Sequence, residues 1–148
     1  MRAVALAVGM GMAAAAGPQV PEARMFAPQD VVAVDEALTV QLKGRTVKPL
    51  GLRPRDGRAA RDMLERLLRT SQEIRLVPDE GAAGADAVYI EYVAMVDRTG
   101  PVWLDAGHVL VAQKVARVDT AVTFARRAAY EVTQRKAEQS TGPRYPND

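Results

Sequence analysis

Residues 31–40 read VVAVDEALTV and set the architecture of the chain. Valine dominates the first four positions, Asp35, Glu36 and Ala37 interrupt the apolar run, and Leu-Thr-Val resumes it. Valine and threonine favour extended backbone, whereas aspartate is common in turns. The stretch therefore predicts two strands, over residues 31–34 and 38–42, joined by a turn at residues 35–37.

The next residues extend this pair into a meander. Lys43-Gly44-Arg45 is a second turn signal, and residues 46–52 predict a third strand that Pro49 interrupts. Because proline cannot donate to a strand ladder, this strand is expected at an edge or with a bend.

A strongly amphipathic segment follows. Over residues 57–70 the apolar positions recur every three or four residues, which predicts a helix, and Asp56 is placed to cap its first turn. Strands are predicted over residues 73–77, 87–96 and 102–104. Residues 105–112 fit either a helix or a strand. A terminal helix is predicted over residues 119–138. The inward-facing residues of that helix are expected to be Ala121, Val122, Ala125, Ala128, Ala129 and Val132. This order of elements predicts an α+β chain on a small curved sheet.

Three stretches resemble the staphylococcal-nuclease (thermonuclease) family. Residues 32–40 follow its V-x-V-I-D-G-D-T-V pattern, with Thr39 and Val40 matching. Residues 47–56, VKPLGLRPRD, run alongside its V-R-L-x-G-I-D-x-P-E strand, and residues 88–90 match part of its Y-G-R-x-L-A-Y-V-Y strand. The resemblance covers about residues 31–138. It implies an α+β fold with a five-stranded OB-type β-barrel and about three helices, a scaffold on which nucleic acids often bind.

The resemblance also implies where a calcium-dependent active site would lie. Its two metal-binding Asp positions hold Leu38, which has no oxygen donor, and Arg53, which is a cation. Its two Arg positions hold Lys48 and Ala85, and its catalytic Glu position holds Asp56. The chain is therefore expected to have no metal site, no cofactor and no catalytic residues.

The remaining charges favour binding over catalysis. Lys48, Arg53 and Arg55 are expected at one edge of the barrel, where cations attract phosphate without a metal. The other interpretation is that they are solvated bases, paired with Asp56 and Glu36. We therefore expect a nuclease-like module that binds nucleic acid, another anion or a protein. Its expected ligand is single-stranded nucleic acid or another phosphate-bearing molecule.

A divergent calcium-dependent phosphodiesterase is the alternative function. It would need a rearranged site, for which Glu36, Lys48 and Asp56 are the candidate catalytic residues and calcium the cofactor. Arg117 and Asp119 stand where the family has nucleotide-stacking tyrosines, so that contact is missing as well.

The N-terminus predicts export. Met1 and Arg2 precede an apolar run that ends in small residues near Ala16, which is typical of a secretory signal peptide. We expect a signal peptide over residues 1–17, a linker over 18–30, one domain over 31–138 and a disordered tail over 139–148. The expected location is periplasmic or extracellular, with no membrane span in the mature chain.

Composition is that of one ordinary globular domain. The 148 residues are 48% hydrophobic and 26% charged and include no cysteine, which excludes disulfides and thiolate metal sites. The formal net charge is only +2, but ten bases and four acids fall between residues 43 and 75. Such an excess is found in binding surfaces and in solvated faces alike. A monomer is expected, and His108, the sole histidine, is expected to pack rather than to bind a metal.

Overall fold

The computed structural model describes residues 23–81, 86–96 and 100–140. Nine strands and three α-helices occur in this part of the chain. They are β1 (Arg24–Phe26), β2 (Val31–Val34), β3 (Val40–Leu42), β4 (Arg45–Val47), β5 (Leu52–Pro54), α1 (Gly57–Arg69), β6 (Ile74–Pro78), β7 (Val88–Val96), β8 (Gly100–Asp105), α2 (Ala106–Ala112), β9 (Ala116–Val118) and α3 (Arg127–Gln139). The predicted leader and residues 141–148 of the predicted tail lie outside the described residues.

The strands form three antiparallel sheets, ordered β1-β6-β7-β8, β2-β3-β4 and β5-β9. The α+β class predicted from the sequence is therefore confirmed. Within the described residues the hydrogen-bonded strands do not close into a single barrel. None of the helices described here has the length and apolar character that crossing a membrane requires.

The turn after β2 is built by one side chain. Asp35 accepts hydrogen bonds at Oδ1 from the backbone N–H groups of Ala37 and Thr39, each at 2.9 Å. Leu38 adopts a left-handed backbone (φ 69°), so the turn includes it and β3 begins two residues later than predicted. Its side chain is only 1% exposed and lies in the core. The left-handed region disfavours a residue with a Cβ, so burial of the leucine side chain offsets backbone strain.

The predicted third strand is two strands in different sheets. β4 ends at Val47, and β5 begins at Leu52 and pairs with β9. Between them the chain bends at Gly51 (φ 78°), where a Cβ would overlap the Phe124 ring. Glycine is therefore required at this position for both its backbone angle and its contact.

The first two helices follow from local sequence. In α1 the predicted cap is confirmed, since the Asp56 carboxylate accepts from the Ala59 N–H at 3.1 Å. The buried face of α1 comprises Ala60, Met63, Leu64 and Leu68. Residues 105–112, which fitted two predictions, form α2 with Asp105 as its N-cap.

The prediction for the terminal helix is wrong in its start and its inward face. The helix α3 begins only at Arg127, and its buried residues are Tyr130 and Ala137. The residues expected to face inward are largely exposed, among them Ala128, Ala129 and Val132. The reason is that buried side chains outside the helix accept hydrogen bonds from the N–H groups just before it. Asp79 accepts from Ala125 at 2.9 Å, and the Tyr89 hydroxyl accepts from Arg126 at 3.1 Å.

Candidate anion-binding site

Two arginines face each other across the β5–β9 pair. Arg53 and Arg117 are direct partners in this antiparallel register, with Leu52 opposite Val118 next to them. Side chains at directly opposed positions project from the same face. The register therefore places two arginine side chains on one face of the pair, although like charges at opposed positions repel each other.

Lys48 joins these arginines at a surface depression of about 450 Å³, which we call the central depression. Its lining residues are Ala37, Lys48, Leu52, Arg53, Pro54, Arg117 and Asp119. Within the described residues neither Lys48 nor Arg117 belongs to an ion pair. Two of the three cations therefore keep their full hydrogen-bonding capacity for a ligand.

Asp119 is the one acid in the central depression. Its Oδ2 lies 3.3 Å from the Arg53 Nε, and its Oδ1 accepts from the Ala121 N–H at 3.0 Å. The Asp119 N–H in turn donates to the Gly51 carbonyl at 2.9 Å, which fixes the backbone. The Ala121 N–H, helped by Arg53 and Arg117, holds the pKa of Asp119 below its ordinary value. Asp119 is thus a fixed anion against one of the three cations.

An apolar depression of about 450 Å³ adjoins the central one and shares Lys48, Leu52 and Asp119 with it. The rest of its lining is Thr39, Thr46, Val47, Pro49, Leu50, Gly51, Asp86 and Val122. Its lining combines aliphatic side chains with the charged side chains of Lys48, Asp86 and Asp119. This combination suits a flat, partly apolar group that is attached to an anion.

An outer depression of about 380 Å³ shares Arg53, Arg117 and Asp119 with the central depression. Its lining residues are Arg53, Arg117, Val118, Asp119, Thr120, Ala121 and Gln134. Asp119 borders all three depressions, so they form one continuous surface around it.

A buried polar cluster fixes the segment that carries Asp119. It comprises Asp79, Tyr89, Glu91, Asp105, Arg126 and Tyr130. Arg126 bridges Glu91 and Asp105, with both N–O distances at 2.8 Å, and its guanidinium lies 4.0 Å from the centre of the Tyr89 ring. Asp79 accepts from the Tyr89 hydroxyl. Residues 119–126 are therefore anchored at their far end by hydrogen bonds and ion pairs to this cluster.

Burial and the neighbouring carboxylates act on the two tyrosines of this cluster. Burial, with Asp105 adding to it, raises the pKa of Tyr130 above its ordinary value of 10.0. Burial and the hydrogen bond to Asp79 raise the pKa of Tyr89 in the same direction. Both hydroxyls therefore stay protonated and act as donors to carboxylates at neutral pH.

The structure brings together two of the three predicted anion-binding residues. Lys48 and Arg53 share the central depression, whereas Arg55 pairs with Glu138 and lines none of the three depressions. The third cation of the central depression is Arg117, which the sequence did not predict as a binding residue. Its alternation with buried Ala116 and Val118 is a weak strand signal, but the sequence alone does not show which strand it pairs with.

The candidate catalytic acids lie away from the depressions. Asp56 caps α1, and Glu36 packs beside Gly57 with its Oε2 3.7 Å from the Arg61 Nη1. Ala85 lies outside the described residues. His108 stacks on Tyr130 and bonds to Thr133. Across the described part of the chain, no group of three or more His, Cys, Asp or Glu is arranged to hold a metal ion.

No known protein-family model matches the chain, and no curated protein matches it. Function is therefore inferred from the site itself.

Proposed function

We propose that this protein is a non-catalytic module that binds single-stranded nucleic acid through the central depression. The observation that carries the proposal is the convergence of Lys48, Arg53 and Arg117, two of them without an ion pair in the described residues. Three adjacent cations attract a phosphate backbone through counterion release, without a metal. Guanidinium groups also match the geometry of phosphate oxygens.

The neighbouring apolar depression supports a nucleotide chain over a small inorganic anion. Its aliphatic lining residues Val47, Leu50 and Val122 offer contact area for a base or sugar, and Lys48, which lines both depressions, holds the phosphate. Among the residues that the structure describes, none that lines this depression or the central one is aromatic. Because stacking on aromatic rings adds about 1–3 kcal/mol per base, the expected affinity is modest and mainly electrostatic.

We propose that the scaffold is a divergent OB-type barrel of the staphylococcal-nuclease-like family. The support is the order of elements, in which the β2-β3-β4 meander precedes α1 and the β6–β7 pair follows it. Gly51, one of the residues that carries the resemblance, is required by its backbone angle and its contact with Phe124. Export, which the leader predicts, would bring the module to nucleic acid outside the cytoplasm.

The same positions argue against catalysis in this module. A phosphodiesterase of this kind needs a cation-binding pocket beside the scissile phosphate. At the two implied ligand positions Leu38 is buried in the core and Arg53 is a cation paired with Asp119. The Asp56 Oδ1 accepts from the Ala59 N–H at the start of α1, and Asp56 lines none of the three depressions.

The test is retention of a short fluorescent oligothymidylate at several salt concentrations, with calcium or with a chelator. We expect binding in both conditions, with log K falling against log salt at a slope of about −2 for three neutralised phosphates on a single strand. The oligonucleotide should remain intact. Cleavage that a chelator abolishes would instead establish the calcium-dependent phosphodiesterase, and the absence of binding at low salt would exclude both functions.

A matched pair of variants assigns the binding to the depression. Arg117→Gln should weaken binding and reduce the magnitude of the salt slope by about 0.7. Arg135→Gln removes the same charge from an exposed position on α3 that lines none of the depressions. Equal losses in the two variants would show that binding follows net charge rather than this site.

A further inference from the structure

The outer depression is rich in hydrogen-bond donors. Its lining includes Arg53, Arg117, Thr120 and Gln134, all of which carry side-chain donors. A guanidinium carries five N–H donors in a planar fork, so one arginine can contact anions on two flanks. The arginine pair therefore has two faces, one toward the central depression and one toward the outer depression.

Gln134 is oriented by a contact that leaves its donors available. Its Oε1 accepts from the Val118 N–H at 2.7 Å, which defines which end of the amide is oxygen. The amide nitrogen then retains two N–H donors at the depression that Gln134 lines. A neutral donor placed beside two cations suits an anion that carries several acceptor oxygens.

We propose that the outer depression is a second phosphate subsite, so that the ligand is a chain with at least two successive phosphates crossing the Arg53–Arg117 pair. This inference rests on the proposed function of the central depression. A phosphodiester fits the outer depression because its two unesterified oxygens can accept from a guanidinium and from the Gln134 amide together. Asp119, which borders both depressions, lowers the net positive charge around the arginine pair.

The test compares two short ligands, TpT with one phosphate and TpTpT with two, by chemical-shift titration of the full chain. TpTpT should bind more tightly, and its salt slope should be steeper by about 0.7, since one more phosphate is neutralised. TpT needs only the central depression.

Gln134→Glu reverses the chemistry of the outer depression with a minimal change in shape. A carboxylate oxygen still accepts from the Val118 N–H, but the donor is replaced by a negative charge that repels phosphate. We expect TpTpT to lose about fivefold in affinity and its additional salt slope, in keeping with the size of exposed charge pairs. TpT binding should change by less than about twofold.

Gln139→Glu is the matched control, because it introduces the same charge on the same helix at an exposed position that lines none of the depressions. If Gln134→Glu lowers the urea midpoint, Thr120→Asp replaces it, with exposed Thr123→Asp as its control. A selective loss of TpTpT binding in either lining variant supports the subsite. Equal effects of lining and control variants, or equal salt slopes for the two ligands, overturn it and leave the proposed function standing. If the unsubstituted chain binds neither ligand, both proposals fail.

Discussion

The buried polar cluster and the central depression use the same residue types in opposite ways. In the cluster, Arg126 contacts two carboxylates and an aromatic ring, and Asp79 accepts from a hydroxyl and two backbone N–H groups. In the depression, Lys48 and Arg117 make no ion pair with a described residue. Charged groups that are fully partnered hold the fold, whereas exposed charges without partners are available to a ligand.

Asp79→Ala is the substitution that we expect to destabilise the buried polar cluster most. It leaves the Tyr89 hydroxyl and the Ala125 N–H without their buried acceptor, so we expect the free energy of unfolding to fall by about 3 kcal/mol. Urea denaturation measures this loss. Glu80→Ala, at the exposed neighbouring position, should stay within about 0.5 kcal/mol of the unsubstituted chain. A small effect of Asp79→Ala would mean that the cluster does not hold residues 119–126.

Leu38 lies beside the central depression, because its neighbours Ala37 and Thr39 line the central and apolar depressions while its own side chain is buried in the hydrophobic core. Leu38→Ala should cost about 2–3 kcal/mol through lost burial. Leu38→Gly should cost about 1 kcal/mol less than Leu38→Ala, although glycine is smaller, because glycine accepts the left-handed backbone. Urea midpoints decide the order. If alanine proves the milder substitution, the left-handed backbone does not limit stability here.

Alkaline pH should weaken the buried cluster selectively. The folded chain holds the Tyr89 and Tyr130 protons more tightly than the unfolded chain does, so their contribution is complete below pH 10. As the pH rises above 10, the free energy of unfolding should fall by about 1.4 kcal/mol per pH unit for each tyrosine. Tyr130→Phe should flatten this slope between pH 10 and 11 in urea unfolding. Parallel pH profiles for the two proteins would contradict a role for Tyr130.

The parts of the fold that were predictable from sequence depend on short-range order. The helix α1 has its cap, its apolar period and its end within one continuous segment, so residues 57–70 predicted it closely. The start of α3 was mispredicted because Asp79, which lies 46 residues before Ala125, takes up a donor that the helix pattern assigned to α3. Hydrophobic period alone carries no information about such a distant acceptor.

Only part of the candidate site was predictable from the sequence, again because some of its contacts join distant segments. Lys48 and Arg53 lie in one stretch of sequence, and the structure places both at the central depression. Arg55 was predicted to bind the anion together with them, but it pairs with Glu138 on α3. Arg117 reaches the central depression only because β9 pairs with β5. Both outcomes depend on contacts between distant segments, which sequence spacing does not determine.

Asp119→Asn is expected to have the smallest effect of these substitutions, and that effect has the opposite sign to that of Arg117→Gln. Asparagine keeps an oxygen that can accept from the Ala121 N–H but removes the charge that occupies Arg53. Binding of the oligothymidylate should tighten about two- to fivefold, because an exposed ion pair contributes little and its loss frees a cation. Glu138→Gln removes the acid opposite Arg55 and serves as the control, with no expected gain.

The pH dependence of the same variant provides a second readout. The pKa of Asp119 is lower in the folded chain than in the unfolded chain, so its stabilising contribution is present above the unfolded value and disappears as the pH falls through the folded value. Asp119→Asn should therefore remove part of the acid dependence of unfolding while strengthening binding at neutral pH. Weaker binding in Asp119→Asn would mean that the carboxylate positions Arg53 for the ligand instead of competing with it.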